Sequence, residues 1–278
     1  NPEAMKEIIF PIRQDGLKAR AYAGTTYLVS ASTIAGMPYA STGDPWKCMF
    51  ARENMVEKFF PNKKDIPMAT VGDVLKNPSK EEVIAKDSEK GYGTADVIAK
   101  AGDDRALLYM GVGGCEEGKV RTINPGEAIT GPLNGASFVK WSNLHADGST
   151  QHDQNYSDTD FPVFRLAEIY LTRAEAKYRL GQDGLDDILK VQDRANRVSK
   201  ATSVDEQTLI DEWCREFYME GRRRSDLVRF GLFTGSKYLW SYKGGAENGA
   251  GIPAYYDVYP IPDNEIKNNP NMHQNPKY

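Results

Sequence analysis

Apolar residues recur at helical spacing most clearly between Phe161 and Gly231, where the pattern predicts three helices in succession. In the last of these, Leu209, Trp213 and Phe217 form one row with Ile210 and Cys214 beside it, so one broad face is apolar and needs a partner surface. The opposite face carries Glu212, Glu216 and Glu220, followed by Arg222, Arg223, Arg224, Asp226 and Arg229. Aligned carboxylates repel one another, so cations must face them. The arginines turned back by Gly221 are the expected source, because a planar guanidinium grips a carboxylate at two points. A structural ion-paired face is favoured over an anion clamp. Upstream, Pro162 opens a helix from Val163 to Leu180, which Gly181 closes. Its Ala167, Ala174 and Ala176 permit close approach of a second helix, Leu185 to Val198, and Ser203 with Glu206 predicts a capping box for the third.

Before this block the pattern is weaker. Glu7 to Gln14, EIIFPIRQ, reads as a strand ending at Asp15-Gly16. Tyr22 to Lys47, including GMPYASTGDPWK, lacks helical period and is expected to form long surface loops, where binding residues concentrate. Arg52 to Phe60 reads as a short helix stopped by Pro61, and a second short helix is opened by Ser79, with Glu82 completing a capping box. A strand is expected at Ala136 to Trp141. Beyond Gly231, Pro260, Pro262, Pro270 and Pro276 fix an extended path, so the tail is expected to be mostly irregular and to dock on the helices. The organisation expected is a mainly α chain: a loop-rich ligand-binding region with short strands and helices at 1–160, a helical scaffold at 161–232 and an irregular tail at 233–278.

Composition narrows the function class. The 278 residues are 40% hydrophobic and 27% charged, which is ordinary for a globular chain, and the formal net charge of -4 provides no basic footprint for nucleic acid. Cys48, Cys115 and Cys214 are far apart, with neither CxxC nor metal spacing, and read as unpaired thiols. No apolar run approaches the roughly 20 residues that span a bilayer.

Three collinear stretches then carry a resemblance. Glu220-Gly221-Arg222 with Asp226-Leu227, Arg229 and Gly231, the helix FPVFRLAEIYLTRAEAKYRLG, and the closing YPIPDNEIKNNPNMHQNPKY together resemble the SusD/RagB family of outer-membrane nutrient-binding lipoproteins. The resemblance implies a SusD-like fold with tetratricopeptide-type helix pairs, whose apolar faces stay open until neighbouring pairs stack on them. It also implies capture of oligosaccharides or polysaccharides at the cell surface, as the lid over a SusC-like TonB-dependent transporter. No catalysis and no cofactor are implied. On this reading the chain is the C-terminal portion of a longer precursor, anchored to the outer membrane by lipid through an upstream segment.

GGCEEGK at 113–119 has phosphate-loop spacing, but Val120 stands where a hydroxyl must meet Mg²⁺, and Glu116 and Glu117 would repel phosphate. His145, His152 and Asp153 with Asp147, Asp158 and Asp160 offer ligand types for calcium without the DxDxDG spacing, so a hydrated loop is preferred and no metal is assigned. No GxSxG, HExxH or comparable catalytic motif is present. Sugar recognition needs flat aromatic faces with polar neighbours. The expected ligand-binding residues are therefore Tyr39 and Trp46 with Asp44, and Trp141 with Asn143; Trp240, Tyr242, Tyr255 and Tyr256 are second choices. RagB-like peptide capture, a glycoside hydrolase and a plain helical-repeat interaction module stand as alternatives.

Overall fold

The computed structural model describes residues 4–38, 41–113 and 135–278. In chain order the elements are β1 (Ile8–Ile12), α1 (Thr25–Ser32), β2 (Phe50–Ala51), α2 (Glu53–Val56), α3 (Lys80–Lys90), α4 (Thr94–Ala101), β3 (Leu108–Tyr109), β4 (Ala136–Phe138), β5 (Phe161–Arg165), α5 (Leu166–Arg179), α6 (Leu185–Arg194), α7 (Glu206–Phe217), α8 (Arg223–Arg229) and α9 (Asp263–Asn268). The chain is mainly helical with a few short strands, as its pattern predicts. Among the described residues no helix is long and apolar enough to cross a membrane. The elements fall into two compact units, Asn1–Met219 and Glu220–Tyr278.

Several expected boundaries move for identifiable reasons. The helix expected from Val163 starts at Leu166, because Phe161–Arg165 is instead drawn into an antiparallel pair with β1, placing Phe10 beside Phe164. The capping box at Ser79 is present, with Glu82 N–H donating to the Ser79 hydroxyl and the Glu82 carboxylate accepting from Ser79 N–H. Ser203, by contrast, caps nothing: Asp205 takes the N-cap of α7, its carboxylate accepting from Thr208 N–H at 2.6 Å. The stretch Tyr22 to Lys47 is not all loop, since Thr25–Ser32 forms α1, whose buried face is largely Thr and Ser and therefore lacks an apolar stripe. Ala136 to Trp141 shortens to a three-residue strand between β2 and β3.

Within the first unit one core gathers Val56, Phe59, Phe60, Val97, Leu108, Met110, Phe138 and Tyr218. The predicted apolar face of α7 is fully committed: Leu209, Ile210, Trp213, Cys214 and Phe217 are all buried. The helices α5 and α6 pair closely because Ala174 is small and Gly184 follows it in the turn; a Cβ at Gly184 would sit 2.6 Å from the Ala174 carbonyl oxygen.

The polar face of α7 is buried as well. Glu212 and Glu216 are sealed from solvent. Their cations were expected from Arg222–Arg224, but the structure supplies them from distant stretches and from Arg215 of α7 itself. Arg105 donates to Asp103, to Glu212 at 2.6 Å and to Glu216 at 3.0 Å. Arg215 and Gln192 donate to the second oxygen of Glu212 at 2.6 and 2.7 Å, and Arg165 and Arg194 converge on Glu216. Arg197 closes the ring on Asp103 at 2.8 Å, and Glu7 holds the outer side of Arg165 at 3.0 Å. Burial alone would raise the pKa of Glu216. The charges of Arg165, Arg105 and Arg194 outweigh it and hold the carboxyl well below the usual range.

In the second unit, the arginine run has its own partners. Arg222 faces Asp226 at 3.5 Å, Arg223 donates to the Tyr238 hydroxyl, and Arg224 donates to the Tyr256 carbonyl with its guanidinium 3.7 Å from the Tyr259 ring centroid. Gln274 mimics a strand partner, accepting from Ile261 N–H and donating to Ile261 C=O, each at 2.8 Å. That double bond gives the PIP and QNP segments of the tail their physical meaning: the amide clamps one proline turn onto the other.

Replacing Glu216 by Gln leaves several buried guanidiniums under-compensated, and denaturant titration is expected to show a loss of about 3–5 kcal/mol. Because the Glu216 pKa is depressed on folding, its contribution is complete above its ordinary value of 4.5 and is lost as pH falls below that value. Denaturant midpoints should therefore drop on acidification in the wild type, and drop less steeply in Glu216→Gln.

Candidate functional site

Rings and polar loops converge beside α1. The helix begins at Gly24, whose φ of 61° lies in the left-handed region that glycine tolerates. Thr25 donates to the Thr159 carbonyl and Thr26 accepts from Ser157 N–H at 3.0 Å, so the two threonines tie α1 to the segment 157–159. At its other end, α1 leaves carbonyls that need donors. Trp46 N–H reaches Ser30 O at 2.8 Å, Lys47 N–H reaches Thr33 O at 3.2 Å and Cys48 N–H reaches Ala31 O at 2.9 Å. These bonds fix the backbone of Trp46, and its indole N–H donates to Asp44 at 2.7 Å, fixing the ring.

Around Trp46 stand three tyrosines. Tyr22 lies 6.3 Å away at an interplanar angle of 35°, and Tyr27 meets Trp46 edge-on at 5.7 Å. Tyr156 lies 4.7 Å from Tyr22 at 44°, with the Arg20 guanidinium 4.6 Å from the Tyr156 centroid. Tyr22 is 54% exposed and Tyr27 41%, while Trp46 and Tyr156 are half-buried. Arg20 also faces Asp153 at 3.7 Å. The result is a tilted aromatic surface rimmed by Arg20, Asp44 and Asp153.

The residues expected from sequence divide. Trp46 and Asp44 are on this surface. Tyr39 lies outside the described residues, as do residues 114–119 of the phosphate-loop match. Trp141 is buried, stacks on Phe161 at 5.8 Å and donates its indole N–H to the Met219 carbonyl at 3.1 Å. Asn143, 2% exposed, spends its amide inside the protein: Nδ2 donates to Asp153 O at 3.0 Å and Oδ1 accepts from Asp158 N–H at 2.8 Å. The sequence pattern instead predicts both at a ligand. Their burial follows from the α7 carboxyl end and the 153–158 turn, which need donors and acceptors there. Tyr22, Tyr27, Tyr156 and Arg20 were not singled out. Tyr22 opens the predicted loop stretch, and Asp153 accepts from Asn155 and Tyr156 N–H as turn-forming aspartates do, so weak signals existed.

Of the second choices, Trp240 stacks on Phe233 at 5.9 Å, and Tyr255 and Tyr256 stack on each other at 4.4 Å with Tyr278 edge-on. In the acidic loop, His145 Nε2 and His152 Nδ1 both meet Asp158 Oδ2, at 2.8 and 3.0 Å. Among the described residues no group of His, Cys, Asp and Glu is arranged to hold a metal ion.

Comparison with known proteins places these elements. Over 283 aligned residues the chain is 53% identical to the starch-binding protein SusD of Bacteroides thetaiotaomicron, matching all of this chain and 50% of that protein. It is 32% identical over 147 residues to SusD-like protein P25 of Formosa agariphila, covering 50% of this chain and 27% of the other. The chain thus spans no more than about half the length of these curated relatives. In fold it is similar to surface glycan-binding protein A of Bacteroides thetaiotaomicron in complex with laminarihexaose, with a TM-score of 0.57 and 16% identity, over 97% of this chain and 52% of that one. The SusD family model itself matches residues 6–278, from the residue before Glu7 of the buried charge ring through the Gln274 clamp of the tail, and the chain belongs to the SusD family.

Proposed function

We propose that the protein is a cell-surface glycan-binding protein of the outer membrane and that the Tyr22–Trp46 surface is where it holds an oligosaccharide. The observation that carries this reading is the pair of rings set 6.3 Å apart and tilted by 35°, one of them half exposed and the other pinned by Asp44. Sugar C–H faces stack on aromatic faces, and each ring covered contributes about 1–2 kcal/mol. A tilted pair suits a chain that curves from one residue to the next, as an α-linked glucan does, better than a flat ribbon. The names of the relatives support this: one is called starch-binding and the other glycan-binding.

The surface is built for holding. Asp44 is engaged by the Trp46 indole and Asp153 by two backbone amides, which orients both carboxylates and suits them to hydroxyl contacts rather than proton transfer. Trp141 and Asn143 are assigned to support, with Asn143 setting the turn that carries Tyr156. By family membership, the glycan would be delivered to a SusC-like TonB-dependent transporter, with the protein attached to the outer membrane by lipid.

Calorimetric titration with maltoheptaose tests the assignment. Tyr22→Ala and Trp46→Ala are each expected to weaken binding about tenfold, the equivalent of about 1.4 kcal/mol. Trp141→Phe should lower the unfolding free energy by about 1 kcal/mol through loss of a hydrogen bond while leaving the dissociation constant unchanged. Unaltered affinity in both platform variants, or retention of peptides alone in a parallel pull-down, would overturn the proposal.

A further inference from the structure

A second concavity, sharing no residue with the aromatic surface, lies where the 64–68 segment meets the carboxyl end of α3 and α4. It encloses about 530 Å³ and is lined by Lys64, Asp65, Ile66, Pro67, Met68, Lys90, Tyr92 and Lys100. That volume falls within the roughly 300–1,000 Å³ typical of small-molecule sites. Its charge is one-sided: three lysines against one aspartate, and Asp65 is already held by the Asn62 amide at 3.0 Å.

The lysines are brought there by the fold. Lys90 ends α3, and the chain then turns through Gly91 at a φ of 77°. A Cβ at Gly91 would sit 2.3 Å from Lys100 Cε, so the glycine leaves open the path along which Lys100 reaches the concavity. Lys90 has one carboxylate within ion-pairing distance, Glu89 at 3.7 Å, and its charge also helps to lower the pKa of buried Asp73; among the described residues neither Lys64 nor Lys100 has a carboxylate within ion-pairing distance. The carboxyl ends of α3 and α4 account for Lys90 and Lys100, which stand in their last turns; they do not account for Lys64 on the facing segment. Ile66, Pro67 and Met68 also line the concavity, with buried Tyr92 held by its hydroxyl on Asp73 at 2.7 Å.

We propose that this groove binds an anionic saccharide, its carboxylate or sulfate ester held among Lys64, Lys90 and Lys100 and its ring against Ile66, Pro67 and Met68. The ammonium groups supply rotatable donors and positive charge, and the apolar side chains distinguish an acidic sugar from a free inorganic anion. The inference goes beyond glucan capture and does not depend on it, because the two sites use different residues.

Calorimetric titration of the intact protein at low ionic strength with a sulfated heparin-derived disaccharide tests it, with sodium sulfate and maltoheptaose in parallel. Binding of the disaccharide is expected, weakening with added salt as charges are screened. The triple variant Lys64→Ala, Lys90→Ala, Lys100→Ala should lose about tenfold in affinity, each exposed charge contact contributing up to about fivefold. A triple Lys→Arg variant should retain binding, and maltoheptaose affinity, unchanged in both, reports that the fold is intact. No disaccharide binding by the wild type, less than a twofold change in the alanine variant, or equal affinity for sodium sulfate would overturn the proposal. Loss of maltoheptaose binding in the wild type would instead overturn the reading of the aromatic surface.

Discussion

The first unit depends on a carboxylate that water cannot reach. Glu216 lies on α7 with Arg105, Arg165 and Arg194 around it, and Glu212, one turn earlier, shares Arg105 and takes Arg215 and Gln192. Removing a carboxylate from water costs several kcal/mol, and that cost is recovered only when the remaining lone pairs are all met. Here the donors arrive from the 103–105 turn, from β5, from α6 and from α7 itself. Each must be in place for the others to be satisfied. The ring therefore holds elements far apart in sequence to one arrangement, and Glu7 and Arg165 extend it to the β1–β5 pair.

From this ring a line of polar contacts leads to the aromatic surface. The carboxyl end of α7 leaves carbonyls at Glu216, Tyr218 and Met219 that lack helical partners. Lys140 donates to the first two and the Trp141 indole to the third, so the chain leaving β4 is seated on the end of the buried helix. Two residues on, Asn143 gathers Asp153 O and Asp158 N–H into one turn, and Tyr156 rides on that turn against Tyr22. Rigidity is passed on by satisfied backbone groups rather than by apolar packing. This explains how a surface built from loops can hold rings at fixed tilt.

The difference between what sequence revealed and what it hid follows from range. Helical periodicity and caps are local, so α5, α6, α7 and the Ser79 box were legible. The row Leu209, Trp213, Phe217 announced its burial. The partners of Glu212 and Glu216 were not legible, because Arg105 lies 107 and 111 residues away and nothing in either segment names the other. The nearest arginines drew the expectation, and they serve Asp226, Tyr238 and the tail carbonyls instead. At the candidate surface, Trp46 and Asp44 were legible as a pair because a loop tryptophan with an adjacent acid is a local pattern. Trp141, with the polar Asn143 two residues on, offers a comparable local pattern, and both are buried. Only long-range contacts, to Met219 and to the 153–158 turn, distinguish them.

A buried ring of charge is a poor way to gain stability, since well-packed apolar residues of the same volume commonly do as well or better. What it provides is register. The apolar face of α7 would tolerate rotation or slippage by several neighbouring residues, because Leu209, Ile210, Trp213, Cys214 and Phe217 form a broad stripe rather than a narrow seam. Moving α7 by one residue turns Glu212 and Glu216 by about 100° about the helix axis and leaves the arginines unpaired. The carboxyl end of α7 is where Lys140 and Trp141 attach, so an error in register there would be carried through the 141–158 segment to Tyr156. The ionic face thus fixes the register of α7 more tightly than its apolar stripe does, and with it the seat of the segment that carries Tyr156.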